Sequence, residues 1–208
     1  MITSPEIEEY IQHLYPLEDP ILKKMEEFGT KSNFPFIGPL VGRLLYQLTK
    51  LSKAKKVFEM GSGFGYSAFW FALALPEDGA VYLTDDSEKN VELSKTYFIE
   101  GNLAKKAKFH LGDSVKILSE TPETFDIILI DLNKENYPKA LELAKSKLNS
   151  GGLIIADNLL WYGRVLEKNA EPSTKAIQKF NQLLFNDCSF ISTLLPIRDG
   201  VGIALKIS

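Results

Sequence analysis

Cysteine and histidine are nearly missing from this chain, which has Cys188, His13 and His110 and no others in 208 residues. A lone cysteine cannot close an intrachain disulfide, which excludes a disulfide-stapled fold and points to a reducing compartment. Neither histidine sits in a ligand-like motif, so a zinc site of the usual nitrogen and sulfur type is not expected. Apolar runs are also short: none approaches the roughly 20 residues needed to span a bilayer. The opening residues, Met1-Ile-Thr-Ser-Pro-Glu6, lack the basic and apolar regions of a signal peptide, so a cytoplasmic protein is expected. Nor does one charge sign dominate. The chain carries 24 Lys and Arg against 27 Asp and Glu, a net −3, so no basic excess announces nucleic acid. Internal repeats and low-complexity segments are absent as well.

What is present is enough apolar material, 45% of the chain, for one α/β domain over residues 1–208; two domains would be cramped. Residues 4–28 read as two short helices divided by Pro16 and Pro20. They form an N-terminal arm that ends in the aromatic loop Lys31–Pro39. A helix is expected from Leu40 to Leu51. Strands are then predicted at 56–60, 80–84, 108–111, 126–130 and 153–156. Helices follow them, through about Leu75, at 88–100, from Val115, at 137–148 and at 173–186. Phe190–Leu195 and Val201–Lys206 read as a closing antiparallel pair. This alternation is the doubly wound α/β pattern.

Val57-Phe-Glu59-Met-Gly61-Ser-Gly63-Phe-Gly65-Tyr-Ser67 is a strand running into a glycine turn that opens a helix. Glycines let the backbone approach a ligand, and a helix N-terminus favours an anion. A dinucleotide fingerprint has Gly-x-Gly-x-x-Gly. The spacing here is Gly-x-Gly-x-Gly, which fits an amino-acid carboxylate better and disfavours an NAD-linked dehydrogenase. Asp85, at the next strand end, is placed to accept ribose hydroxyls, with Asp86 beside it as the alternative. Gly112-Asp113-Ser114 follows the third strand, where a carboxylate can accept from an adenine amino group. The plain alternative is that the glycines only make a tight turn.

Two more strand ends carry oxygen-bearing side chains. Asp131-Leu-Asn133-Lys134 follows Phe125–Ile130, and Asp157-Asn158 follows Gly152–Ala156. At that edge of an open α/β sheet, such side chains with an amine beside them read as a site for a hard metal ion and a base. Taken singly, Asp157-Asn158 also suits a turn, and Lys134 a solvated surface.

These pieces together resemble the metal-dependent class I S-adenosylmethionine-dependent O-methyltransferases, the catechol and caffeoyl-CoA group. The resemblance runs from about Pro39 to the C-terminus. It rests on Phe58–Ala68, Leu75–Gly79, Asp131–Tyr137, Gly151–Asn158 with Leu160, Trp161 and Gly163, and Leu195-Pro-Ile-Arg-Asp-Gly200. It implies a Rossmann-like methyltransferase fold with a mostly parallel seven-stranded sheet, the last strand antiparallel. It implies S-adenosylmethionine held at Glu59, Gly61, Gly63, Gly65, Ser67, Asp85, Asp113, Ser114 and Asp131. It implies a divalent metal, Mg²⁺ before Ca²⁺ or Mn²⁺, on Asp131, Asp157 and Asn158. Lys134 is then the catalytic base and Trp161 flanks the substrate. A homodimer is implied too. The chain departs from the common Asp-Ala-Asp-Lys at Asn133, and in the apolar loop Phe34–Pro39.

The leading expectation is therefore methyl transfer to a metal-chelated hydroxyl of a catechol-like small molecule. A tRNA 5-hydroxyuridine methyltransferase is the second enzymatic reading. A non-catalytic cofactor-binding protein is the alternative of another class, although it would need neither Lys134 nor the ligand set.

Overall fold

The computed structural model describes residues 4–16 and 18–207. Two helices open it, α1 (Pro5–Leu14) and α2 (Pro20–Lys31), each begun by a proline behind a capping side chain, Ser4 or Asp19. Proline lacks a donor that the first helical turn leaves unpaired anyway, and each cap oxygen takes up free N–H groups, worth about 1 kcal/mol. The next helix, α3 (Gly38–Leu51), starts two residues before the expected Leu40. Pro39 sits inside its first turn instead of closing the loop ahead of it.

Strand and helix then alternate: β1 (Lys56–Met60), α4 (Tyr66–Ala74), β2 (Ala80–Asp85), α5 (Glu88–Glu100), β3 (Ala107–Leu111), α6 (Ser114–Glu120), β4 (Phe125–Ile130) and α7 (Tyr137–Lys147). The chain closes with β5 (Leu148–Ala156), α8 (Pro172–Asn186), β6 (Phe190–Leu195) and β7 (Val201–Lys206). The strands make one seven-stranded sheet in the order β3-β2-β1-β4-β5-β7-β6. β1 to β5 pair in parallel, and β7 runs antiparallel to both its neighbours. This is the doubly wound, mostly parallel sheet that the alternation predicts. The strand boundary that differs most is that of β5, which begins at Leu148, not Leu153. Its first residues, Asn149-Ser-Gly-Gly152, have turn chemistry, and the β4–β5 register does shift there, between Phe125 and Ile127.

Successive strand residues point to opposite faces of the sheet. Val57, Ile127, Leu129 and Ile155 pack on one face with Leu45, Phe69 and Phe71. Phe58, Ile128, Ile130 and Ile154 pack on the other with Leu141, Ile177 and Phe180. Because both faces are dry, the central strands are mostly apolar, with Glu59 the charged side chain buried within β1. No helix among the described residues is long and apolar enough to cross a membrane.

The order of strands fixes where a ligand can sit. From β1 the chain winds to β2 and β3 on one side, then returns to β4 and β5 on the other. The crevice above the carboxyl ends at that reversal is the ligand site of open α/β sheets.

Candidate active site

A cleft of about 810 Å³ opens over these strand ends. Gly61, Gly63, Ser67, Asp85, Asp113, Ser114, Asp131, Lys134, Asp157, Asn158 and Trp161 all stand on its wall. Glu59 and Gly65, expected as direct contacts, do not. Gly65 has φ +85 and faces α5, where a Cβ would crowd Ser94, so it serves the packing of the turn. Glu59 points from β1 into the protein behind Ser67, whose hydroxyl donates to it.

One half of the cleft is built on the glycine turn. Gly61 has φ +89, and a Cβ there would run into the carbonyl oxygen of Asp131. Only glycine lets the ends of β1 and β4 approach this closely. The turn is tied to β2. Gly61 and Ser62 donate to Thr84 O at 3.2 and 2.9 Å, and Gly63 N donates to Asp85 Oδ2 at 2.8 Å. Asp85 Oδ1 accepts from Ser87 N and Asn90 Nδ2 at 3.0 and 2.9 Å. Asp85 thus braces the turn as well as facing the cleft, and Asp86 lies on the wall beside it. Asp113 has a double place too, since one of its oxygens caps α6 through Lys116 N at 2.9 Å.

Glu59 is wholly buried, and burial pushes its carboxyl up to about 7 against the pull of the Ser67 hydroxyl. Its Oε2 has no hydrogen-bond partner among the described residues. The cradle that Gly61 and Gly63 keep free of Cβ atoms, with the Asp85 carboxylate on the same wall, fits a ligand that joins an amino-acid end to a ribose, as S-adenosylmethionine does.

The other half stands on β4 and β5. Ile130 pairs with Ala156, so Asp131 and Asp157 leave neighbouring strands side by side. Asp157 is buried, and desolvation together with the Asp131 charge holds its carboxyl well above the usual range. Lys134 donates to Asp131 Oδ1 at 2.9 Å and to the Tyr137 hydroxyl at 2.8 Å, and its side chain is only 11% exposed. It is therefore no solvated surface lysine. Its Nζ also lies 5.7 Å from the centre of the Trp161 ring. Asn158, with φ +60, faces the cleft and Asp199. Two carboxylates, one of them buried, and an amide oxygen form an all-oxygen donor set of the kind that suits a hard cation. The residues fit such an ion.

Asn133, the point of departure from the family pattern, lines the cleft and accepts from Glu135 N at 3.2 Å, starting the turn that carries Lys134.

Several residues on the wall or directly behind it have no role that their local sequence marks. The Tyr137 hydroxyl donates to Asp157 O at 3.0 Å and so links the two strand ends. Arg198, from the β6–β7 turn, donates to Phe36 O at 2.5 Å and holds the aromatic loop at the rim. Phe34 and Phe36 from that loop meet Phe64 of the glycine turn edge-on, at 5.1 and 6.0 Å. Their signals in the sequence are indirect: the loop is rich in aromatics, and Tyr137 and Arg198 fall in the family-like stretches Asp131–Tyr137 and Leu195–Gly200 without a role attached.

Comparison with known proteins agrees with the geometry. The O-methyltransferase family model matches residues 12–207. A catechol O-methyltransferase of Niastella koreensis is 29% identical over 97% of this chain and 96% of its own length. The caffeoyl-CoA O-methyltransferase 1 of Eucalyptus globulus is 32% identical, covering 94% of this chain and 85% of that protein. Among solved structures, an O-methyltransferase from Bacillus cereus in complex with SAH superposes with a TM-score of 0.90. It is 26% identical and covers 99% of this chain and all of that one.

Proposed function

The chain belongs to the O-methyltransferase family, and from that premise we propose that it methylates one hydroxyl of a small catechol-like acceptor chelated by a divalent cation. It is an S-adenosylmethionine-dependent O-methyltransferase of the catechol and caffeoyl-CoA type. One observation carries the finer reading: the largely shielded Lys134 amine and the Asp131 and Asp157 carboxylates share one wall of a cleft whose other wall is the glycine turn.

S-adenosylmethionine supplies a sulfonium methyl that is already electrophilic. A divalent cation, Mg²⁺ in the first instance, would be held by Asp131, Asp157 and Asn158 and would supply acidity to a bound hydroxyl. The chain's own task is then positioning and proton handling. Asp85 and Asp113 stand on the nucleoside side of the cleft, and the glycine turn with Ser67 on the amino-acid side. Lys134, fixed by Tyr137, takes the acceptor proton at Nζ in its neutral form as the O–CH₃ bond forms and the S–CH₃ bond breaks, which leaves S-adenosylhomocysteine. Trp161, Phe34 and Phe36 offer apolar surface to a planar ring.

The charge of the cleft favours a small acceptor over tRNA. Among the described residues, Asp85, Asp86, Asp113, Asp131, Asp157 and Asp199 face only two wall cations, Lys134 and Arg198. Such a wall repels a polyanion. A purely cofactor-binding role has no use for a buried lysine beside two carboxylates.

The test is methyl transfer to a panel of catechols with Mg²⁺, with excess chelator, and with Asp157→Ala. Turnover with Mg²⁺ that both treatments abolish is expected. Turnover that survives both overturns the metal part of the reading.

A further inference from the structure

We propose that Asp199 is a positioning residue for the cation site, orienting the Asn158 amide so that it offers oxygen, not nitrogen, to the ion. This rests on the reading of Asp131, Asp157 and Asn158 as cation ligands. Asp199 lies in the β6–β7 turn, 41 residues from Asn158, and is 7% exposed. Its Oδ2 accepts from Asn158 Nδ2 at 3.4 Å, and its Oδ1 accepts from the backbone N–H of Tyr162. The two loops are joined along their backbones. Leu159 N donates to Gly200 O and Leu160 N to Asp199 O, both at 2.9 Å. Gly200, with φ +89, admits Leu160 where a Cβ would lie 2.6 Å from its side chain.

The chemistry follows from what each group can do. An ionised carboxylate only accepts hydrogen bonds, whereas an amide has one accepting and one donating end. Facing Asp199, Asn158 must turn its NH₂ to the carboxylate, which leaves Oδ1 for the cleft. The left-handed backbone at Asn158 sets where the side chain begins but not which end of the amide faces the cleft. Without Asp199, the amide is free to present N–H donors to a cation. The pairing also accounts for an amide at position 158. A carboxylate there would meet the Asp199 carboxylate at hydrogen-bond range in a buried place, where like charges disfavour ionisation.

The test reverses the polarity of the pair. In Asp199→Asn, residue 199 keeps one acceptor for Tyr162 N–H, so its NH₂ faces Asn158 and draws the Asn158 oxygen away from the cleft. Mn²⁺ affinity of the full chain, measured by electron paramagnetic resonance without acceptor, should fall about tenfold to a hundredfold, the usual effect of losing an outer partner of a metal ligand. Affinity for S-adenosylhomocysteine should hold, which shows that the fold and the glycine turn are intact. Adding Asn158→Asp to Asp199→Asn should restore Mn²⁺ binding, because the new amide donates to one oxygen of residue 158 and leaves the other for the ion. Asn158→Asp alone should bind Mn²⁺ more weakly than the double variant. Unchanged affinity in Asp199→Asn, or a double variant no tighter than either single one, overturns the proposal. If Asp157→Ala still abolishes binding in that case, the cation reading stands. Wild-type protein that binds no Mn²⁺ overturns that reading and this inference with it.

Discussion

The amine of Lys134 lies 2.8 Å from the hydroxyl of Tyr137, and that hydroxyl in turn donates to the backbone of Asp157. One buried phenol therefore sets the base that follows β4 in register with the carboxylate that follows β5. Tyr137→Phe keeps the ring in its edge-on contact with Phe180, 5.2 Å away, but deletes both hydrogen bonds. It should cost about 1–3 kcal/mol of stability, as for a buried polar group left unpaired. Denaturant unfolding measures that loss. Steady-state kinetics should show kcat reduced with KM for S-adenosylmethionine unchanged.

Lys134→Met retains the length of the side chain and removes the base. A fall in kcat of about 10²- to 10⁴-fold is expected, the range for loss of general-base catalysis. Calorimetric binding of S-adenosylhomocysteine should be unchanged, since Lys134 stands on the acceptor wall. A variant that keeps wild-type kcat removes Lys134 from the chemistry.

Burial at Glu59 makes a pH signature in stability. Its carboxyl is raised to about 7 in the folded protein against an ordinary value of 4.5, so the native state binds the proton more tightly than the unfolded chain. The stability it contributes is fully present below pH 4.5 and is lost as pH rises through 7. Glu59→Gln cannot ionise. Urea unfolding should therefore show wild type losing stability relative to Glu59→Gln between pH 5 and pH 8, by on the order of 2–3 kcal/mol. Parallel pH profiles for the two proteins would contradict a raised Glu59.

Gly61→Ala tests the closeness of the two halves of the cleft. The new methyl would press on the Asp131 carbonyl, and the backbone at φ +89 strains any side chain. Strain of this kind costs about 1–3 kcal/mol, to which the clash adds. Lower thermal stability, together with weaker binding of S-adenosylhomocysteine, is the expected result.

Periodicity made most of the fold legible. The strands from β1 to β4 are short apolar runs between turn residues, and both sheet faces are covered. The start of β5 was hidden because Asn149-Ser-Gly-Gly152 carries turn chemistry inside a strand. Side chains at strand ends, Asp85, Asp113, Asp131 and Asp157, were legible as wall residues because strand direction alone puts them there. Glu59 was not, because a position within β1 says nothing about whether its carboxyl reaches the cleft or the core. Asp199 and Arg198 also escaped. Their partners, Asn158 and Phe36, are far away in the chain and meet them only after the β6–β7 turn folds over the cleft.

Chelation of the acceptor is the central claim, and a matched set of three acceptors tests it most directly. Methyl transfer should be followed from S-adenosylmethionine, in saturating Mg²⁺, to 3,4-dihydroxybenzoate and to its 3-hydroxy and 4-hydroxy analogues. The vicinal diol can bind a cation through two oxygens and the analogues through one. Methylation of the diol alone, abolished by chelator, is predicted. Equal turnover of the single phenols, or turnover of the diol in excess chelator, would contradict the account.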